Sequence, residues 1–259
     1  MKVLVSNDDG IYAQGLYTLV SVLKDMSQVT VVCPDRQRSG AGHSISVESP
    51  LKVSKVDLMA EVDAYQVNGT PADCIKVGLE VICPQKPDLI ISGMNAGANV
   101  GQDVYYSGTI GAAREGALYG IPAIAFSLAR DQQESLNFED SVPLLRMILN
   151  YLIDFPLPKD YILNVNLPAV DEEELKGIKV VNPELSQKKF DFLHLNNPKG
   201  QPVYWLNNRY NRMEDVAGDS DYQLLRQAYI TISPIPCFID QSSLCQTIQE
   251  YITKKEQTQ

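Results

Sequence analysis

Short β-branched runs alternate with helix-period segments through the first half of this chain, and its polar motifs follow directly after the runs. Val3–Ser6 reads as a buried strand. Leu16, Leu19, Val20 and Leu23 then recur at i, i+3, i+4 and i+7, the mark of an amphipathic helix. Val29–Cys33 is a second strand, and Leu51–Val56 with Ala64–Val67 form an extended excursion. Thr70-Pro71 supplies an N-cap and a proline at the first helical position, and Ile75, Leu79 and Ile82 give that helix its apolar face. Leu89–Ser92 is a strand, Ile110–Tyr119 a small-residue helix ended by Gly120, and Ile121–Ser127 a further strand. Leu136–Ile153 is largely helical despite Pro143. This alternation predicts an α/β fold with a doubly wound, mostly parallel sheet. In such a sheet ligands bind beyond the carboxyl ends of the strands, where the polar motifs lie.

The pattern changes near residue 170. Lys179–Asn182, Val203–Asn207 and Tyr229–Ser233 are strand-like pieces separated by polar loops rich in Pro and Asn. The expected organisation is a catalytic core over 1–170 and an irregular β-rich appendage over 171–259. The appendage closes with an amphipathic terminal helix through Leu244, Ile248, Tyr251 and Ile252, capped by Ser242 or Ser243 and tethered through Pro234 and Pro236. Such a helix docks on its own body or on a second subunit.

The net charge of −10 removes one class of partner. A nucleic-acid groove needs clustered Lys and Arg. The densest basic clusters are the pairs Lys188-Lys189 and Lys254-Lys255. A phosphate ligand would have to be held by a local cation and oriented backbone N–H groups. The five cysteines include no C-x-x-C spacing, which argues against a disulfide framework or a zinc knuckle and fits a reducing compartment. The apolar N-terminal run is too short for a signal peptide, and no stretch approaches the ~18 residues of a membrane span. The expectation is a cytoplasmic protein with no membrane partner.

Four loops carry chemistry. Ser6-Asn7-Asp8-Asp9-Gly10 places adjacent carboxylates at the end of a buried strand, where a cation would relieve their repulsion; equally, carboxylates cap helix starts. Asp35 to Ser44 contains Gly40 and Gly42, the neutral oxygen of Ser39, and His43, which is either an acid–base group or structural. Ser92-Gly93-Met94-Asn95-Ala96-Gly97 departs from the dinucleotide fingerprint and reads either as converging amide oxygens or as a glycine-rich surface loop. Ser107-Gly108-Thr109 opens a helix, an arrangement suited to cradling phosphate, but without the lysine of a P-loop. Two carboxylates, a hydroxyl and an amide are hard oxygen donors that suit Mg²⁺ or Mn²⁺. A metal beside a phosphate cradle points to hydrolytic phosphoryl transfer.

Asn7-Asp8-Asp9-Gly10, Pro34-Asp35 through Ser39-Gly40-Ala41-Gly42-His43-Ser44, Gly69-Thr70-Pro71-Ala72-Asp73-Cys74, Ser92-Gly93-Met94-Asn95 and Tyr106-Ser107-Gly108-Thr109 resemble, in order, the SurE survival-protein family. Leu163–Pro168 and the Asp219–Pro234 stretch resemble it more thinly, and Arg114 stands where the family usually has a small residue or Met. The resemblance implies a Rossmann-like core and 5′/3′-nucleotidase activity, with short polyphosphate as a further substrate. It implies that Asp8, Asp9, Ser39 and Asn95 bind one divalent cation per subunit, and that Ser107, Gly108 and Thr109, with Asn95, hold phosphate. It also implies a homodimer or homotetramer. Asp8 or Asp9 serves as base toward water, or as ligand alone. Two rivals remain. In a haloacid-dehalogenase-type phosphatase the two aspartates lie two apart, whereas here they are adjacent; a non-catalytic nucleotide-binding regulator needs the cradle but not the double carboxylate.

Overall fold

A computed structural model describes residues 1–130, 135–185, 191–207 and 219–238, together with 245, 248–250 and 252. The strands are β1 (Lys2–Ser6), β2 (Gln28–Pro34), β3 (Val53–Val56), β4 (Asp63–Val67), β5 (Leu89–Ala96), β6 (Ala123–Leu128), β7 (Tyr161–Leu167), β8 (Gly177–Val180), β9 (Asp191–Asn196), β10 (Pro202–Asn207) and β11 (Tyr229–Pro236). The helices are α1 (Gln14–Leu23), α2 (Pro71–Val77), α3 (Gly108–Leu118), α4 (Val142–Leu152) and α5 (Asp221–Arg226). Nine strands form one sheet in the order β3-β4-β2-β1-β5-β6-β7-β11-β8. The run from β4 through β7 is parallel. β3 and β11 are antiparallel to β4 and β7, and β8 lies parallel to β11.

Every residue of β1 after Lys2, and every residue of β6, is buried. That is the consequence of covering both sheet faces, and it explains the continuous apolar runs in place of strict alternation. Leu16, Leu19 and Leu23 of α1 join Leu144, Leu145 and Ile148 of α4 in one apolar cluster. Cys74 and Ile75 of α2 join Ile110, Ala112 and Ala113 of α3 in a second. α1 pairs with α4 and α2 with α3, each couple covering one face of the sheet.

The chain leaves β1 toward β2 on one side and returns to β5 on the other, so β1 and β5 are neighbours with connections diverging from them. Their carboxyl ends form the switch-point crevice in which open α/β sheets bind ligands. Asp8 and Asp9 follow one of these strands and Asn95 lies at the end of the other.

Several elements differ from the sequence expectation. The excursion over 51–67 becomes β3 and β4, which extend the sheet edge next to β2. The segment beyond 170 contributes β8 and β11 to the main sheet, and among the described residues only β9 and β10 form a sheet of their own. α4 starts at Val142 rather than Leu136. Asn137 Oδ1 accepts from the Glu139 N–H at 3.1 Å, a side-chain turn that competes with the helix, and Pro143 sits in the first turn, where its missing N–H costs nothing. The expected terminal helix through Leu244 and Tyr251, with its caps Ser242 and Ser243, lies largely outside the described residues.

Candidate active site

The loop after β1 is closed by Asn7, whose Nδ2 donates to the Gly10 carbonyl at 2.9 Å while its Oδ1 accepts from the Gly10 N–H at 3.1 Å. Gly10 has φ 99°, and a Cβ there would stand 3.1 Å from the Arg36 carbonyl carbon, so glycine is required by conformation and by space. The closed loop holds Asp8 and Asp9 above the crevice in different environments. Asp8 is buried, and its Oδ1 accepts from the Thr109 hydroxyl. Burial pushes the Asp8 carboxyl up to about 6; the hydrogen bond from Thr109 opposes this, and the neighbouring Asp9 charge adds to it. Asp9 is half-buried. Its Oδ2 accepts from the Ala96 N–H at 3.0 Å, which joins the loop after β1 to the end of β5.

A second loop meets the first. The Arg38 N–H donates to the Asp8 carbonyl at 2.7 Å. The Gln37 Nε2 amide donates to Ser39 Oγ at 2.9 Å and lies 3.5 Å from Asp9 Oδ1, bridging the two oxygens. Asn95 reaches the crevice through an irregularity in β5 between Ser92 and Asn95, the kind of bulge that re-aims a side chain at a strand end. Its Nδ2 donates to the Gly97 carbonyl at 2.7 Å, so the amide oxygen is the atom left to coordinate.

The third contribution is the start of α3. Ser107 caps it, accepting from the Ile110 N–H at 3.2 Å, and its own hydroxyl proton is not spent on that bond. The N–H groups of Gly108 and Thr109 belong to the first turn, where the helix dipole favours an anion. Gly108 is required sterically, because a Cβ would stand 2.8 Å from Asp8 Cβ. The Thr109 hydroxyl, expected as a phosphate donor, gives its proton to Asp8, so its side chain orients the carboxylate.

His43 points at α3. Its Nε2 lies 2.8 Å from Glu115 Oε2, and Lys76 Nζ lies 2.6 Å from Glu115 Oε1. Burial alone would raise the Glu115 carboxyl, but the hydrogen bonds from His43 and Lys76 outweigh it and hold the carboxyl below its ordinary value. The same loop packs on α3 through glycines: a Cβ on Gly111 would stand 2.2 Å from the Gly42 carbonyl oxygen, and the Gly42 N–H donates to the Tyr106 carbonyl at 3.0 Å. His43 is thus a clamp between the Ser39 loop and α3. His194 lies apart, its ring stacked on Tyr204 at 4.7 Å.

The structure therefore joins the loop bearing Asp8 and Asp9 by hydrogen bonds to the Ser39 loop, to the end of β5 that bears Asn95, and to the start of α3 at Thr109. Sequence reasoning missed Gln37 and Glu115. An exposed glutamine and a mid-helix glutamate carry no local signal. The Asn7 turn onto Gly10 was missed as well, although an Asn three residues before a Gly is a local signal for a side-chain turn.

Among the described residues no three or more His, Cys, Asp or Glu side chains cluster as a metal site. Any cation here would meet a mixed oxygen set of two carboxylates, a hydroxyl and an amide, which fits Mg²⁺ or Mn²⁺. A buried carboxyl pushed up in pKa beside a second carboxylate is a place where a cation is stabilising.

Comparison with known proteins agrees in fold and sequence. The family model described as survival protein SurE matches residues 3–190. The chain is 37% identical over 254 residues to a protein named 5′-nucleotidase SurE from Pseudoalteromonas atlantica, covering 98% of this chain and 100% of that one. It is 41% identical over 238 residues to a protein of the same name from Gloeobacter violaceus, covering 91% and 89%. A crystal structure of the SurE protein from Aquifex aeolicus superposes with a TM-score of 0.82 at 34% identity, covering 97% of this chain and 99% of that one. With that match across nearly its whole length, the chain belongs to the SurE survival-protein family.

Proposed function

We propose that the chain is a divalent-metal-dependent phosphomonoesterase that hydrolyses nucleoside 5′- and 3′-monophosphates to nucleoside and phosphate, with short polyphosphate as a further substrate. One observation carries this reading. The hydrogen bond from Thr109 to Asp8 joins the anion-holding start of α3 directly to the paired carboxylates. The names of the relatives, 5′-nucleotidase SurE, support the same substrate class.

In this mechanism Asp8, Asp9, Ser39 and Asn95 would hold one Mg²⁺ or Mn²⁺. When bound, such a cation supplies positive charge against the phosphoryl oxygens and acidifies water. The Ser107 hydroxyl and the Gly108 and Thr109 N–H groups hold the phosphoryl oxygens and fix the phosphorus for attack. Thr109, through its hydroxyl, keeps the Asp8 carboxylate in a single orientation. Asp8 or Asp9 takes the proton released by the attacking water, or serves as a ligand alone. Gln37, which now bridges Asp9 and Ser39, would have to release those oxygens for them to face a cation.

The proposed location is the cytoplasm; the five cysteines are unpaired, as a reducing compartment requires. Among the described residues no helix is long and apolar enough to cross a membrane. The proposed assembly is a homodimer or homotetramer, supported by the exposed apolar side chains of the β9–β10 hairpin. Phosphate release from a panel of nucleoside monophosphates and tripolyphosphate, with EDTA and with Mg²⁺ or Mn²⁺ restored, tests the activity. EDTA should abolish release and either cation should restore it. Nucleotide binding indifferent to EDTA, with no release under any condition, would establish a non-catalytic binding protein.

A further inference from the structure

We infer that the ring of Tyr105 is the stacking platform for the substrate's nucleobase, so that the base is recognised by its π face and not by its hydrogen-bonding edge. The inference rests on the nucleotidase reading and assigns a site for the part of the substrate that the phosphate cradle does not touch. Tyr105 lies two residues before Ser107. With consecutive Cα atoms about 3.8 Å apart, its Cα lies within roughly 7.6 Å of the helix cap. That is the scale of the ribose separating a phosphate from its base.

The backbone carrying this ring is fixed at several points. Residues Gly101–Tyr105 form a 3-10 turn, and the Asp103 carbonyl accepts from the N–H groups of Tyr106 and Ser107, both at 3.0 Å. The Gly101 N–H donates to the buried Asp221 carboxylate at 2.7 Å, and the Tyr106 carbonyl is held by Gly42. Yet the Tyr105 side chain is 57% exposed, and among the described residues no hydrogen bond or ring contact to it is formed. A tyrosine on a rigid mount has few torsions to freeze when a ligand stacks on it.

The polar side chains of the same 3-10 turn are engaged elsewhere. The Gln102 amide donates to the Leu185 carbonyl at 3.3 Å, and Asp103 also has an electrostatic or hydrogen-bond partner. Of the two exposed tyrosines before Ser107, Tyr106 already has a side-chain or backbone partner, which leaves the Tyr105 ring as the open aromatic face, and every nucleobase has a face to set against it. Stacking of that kind tolerates any base. Tyr12, 72% exposed and three residues past Asp9, serves as the control.

Steady-state kinetics on the full chain test the platform, comparing AMP and CMP with ribose 5-phosphate, which keeps sugar and phosphate but lacks a base. Tyr105→Ala should raise KM for both nucleotides about ten-fold, AMP more than CMP, with kcat unchanged. KM for ribose 5-phosphate should stay at the parent value, and Tyr105→Trp should restore nucleotide KM. An equal rise for all three substrates, no rise at all, or a base-dependent loss that follows Tyr12→Ala instead would overturn the inference. If the parent chain hydrolyses none of the three in the presence of Mg²⁺ or Mn²⁺, the nucleotidase reading itself falls and the platform with it.

Discussion

Glu115 holds no candidate ligand, yet it ties together the pieces that do. Its buried carboxylate is shared by His43, from the loop that carries Ser39, and by Lys76 of α2. Breaking a buried ion pair leaves an uncompensated charge, so this contact matters more than an exposed pair would. Its folded pKa lies below the ordinary carboxyl value. The stability it contributes is therefore fully present above the unfolded pKa and is lost as pH falls through the folded one. Urea midpoints measured from neutral pH down past about 4 should fall for the parent and fall less steeply for Glu115→Gln. Parallel slopes would contradict this. At this scale the sequence was readable where a residue acts on its own neighbours, as Thr70 does in capping α2 through the Asp73 N–H. The partners of Glu115 lie 72 positions away at His43 and on a different helix at Lys76, and no local pattern announces them.

Among the elements, β7 shows why an interior strand can escape a hydropathy reading. Asn164 and Asn166 are both fully buried within it. They face the loop after β5: each donates through its Nδ2 to the Asn99 carbonyl, at 2.8 and 3.2 Å, and Asn166 Oδ1 accepts from the Asn99 N–H at 2.8 Å. Asn99 Nδ2 in turn donates to Ser127 Oγ at 2.9 Å. These bonds anchor the segment that runs from Asn95 to the start of α3, so two asparagines in the sheet interior serve the site. The cost of burying amides is offset because nearly all their polar atoms are paired. Asn166→Leu adds apolar volume but orphans a buried backbone donor, and the orphaned donor decides the sign. Urea unfolding should show a loss of about 2 kcal/mol; an unchanged or raised stability would show that the Asn99 network is dispensable. The start of α2 was legible because its cap and proline are local chemistry, and the end of β5 was not, because a bulge extends it past Ser92.

For the whole molecule, the doubly wound architecture was legible because period and run length report on burial, while strand order was not, because β8 and β11 join the sheet through distant pairings. The β9–β10 hairpin stands outside that sheet with Phe192, Leu193, Leu195, Tyr204, Trp205 and Leu206 exposed. An isolated two-stranded ribbon is marginal in water, and a second copy of the chain is the proposed cover. Replacing Trp205 and Leu193, which pair across the strands, by Asp should lower the mass seen in sedimentation to that of the monomer; an unchanged mass would place the interface elsewhere. At the crevice between β1 and β5, loops from three parts of the chain carry Asp8, Asp9, Ser39 and Asn95, the proposed oxygen donors to one cation. Mn²⁺ titration followed by electron paramagnetic resonance tests that proposal most directly. The parent should bind one ion per chain, and Asp9→Asn, which keeps an acceptor for Ala96, should weaken that binding by at least the ten- to hundred-fold, roughly, that even outer-shell changes cost at metal sites. Mn²⁺ held as tightly by Asp9→Asn as by the parent would contradict it.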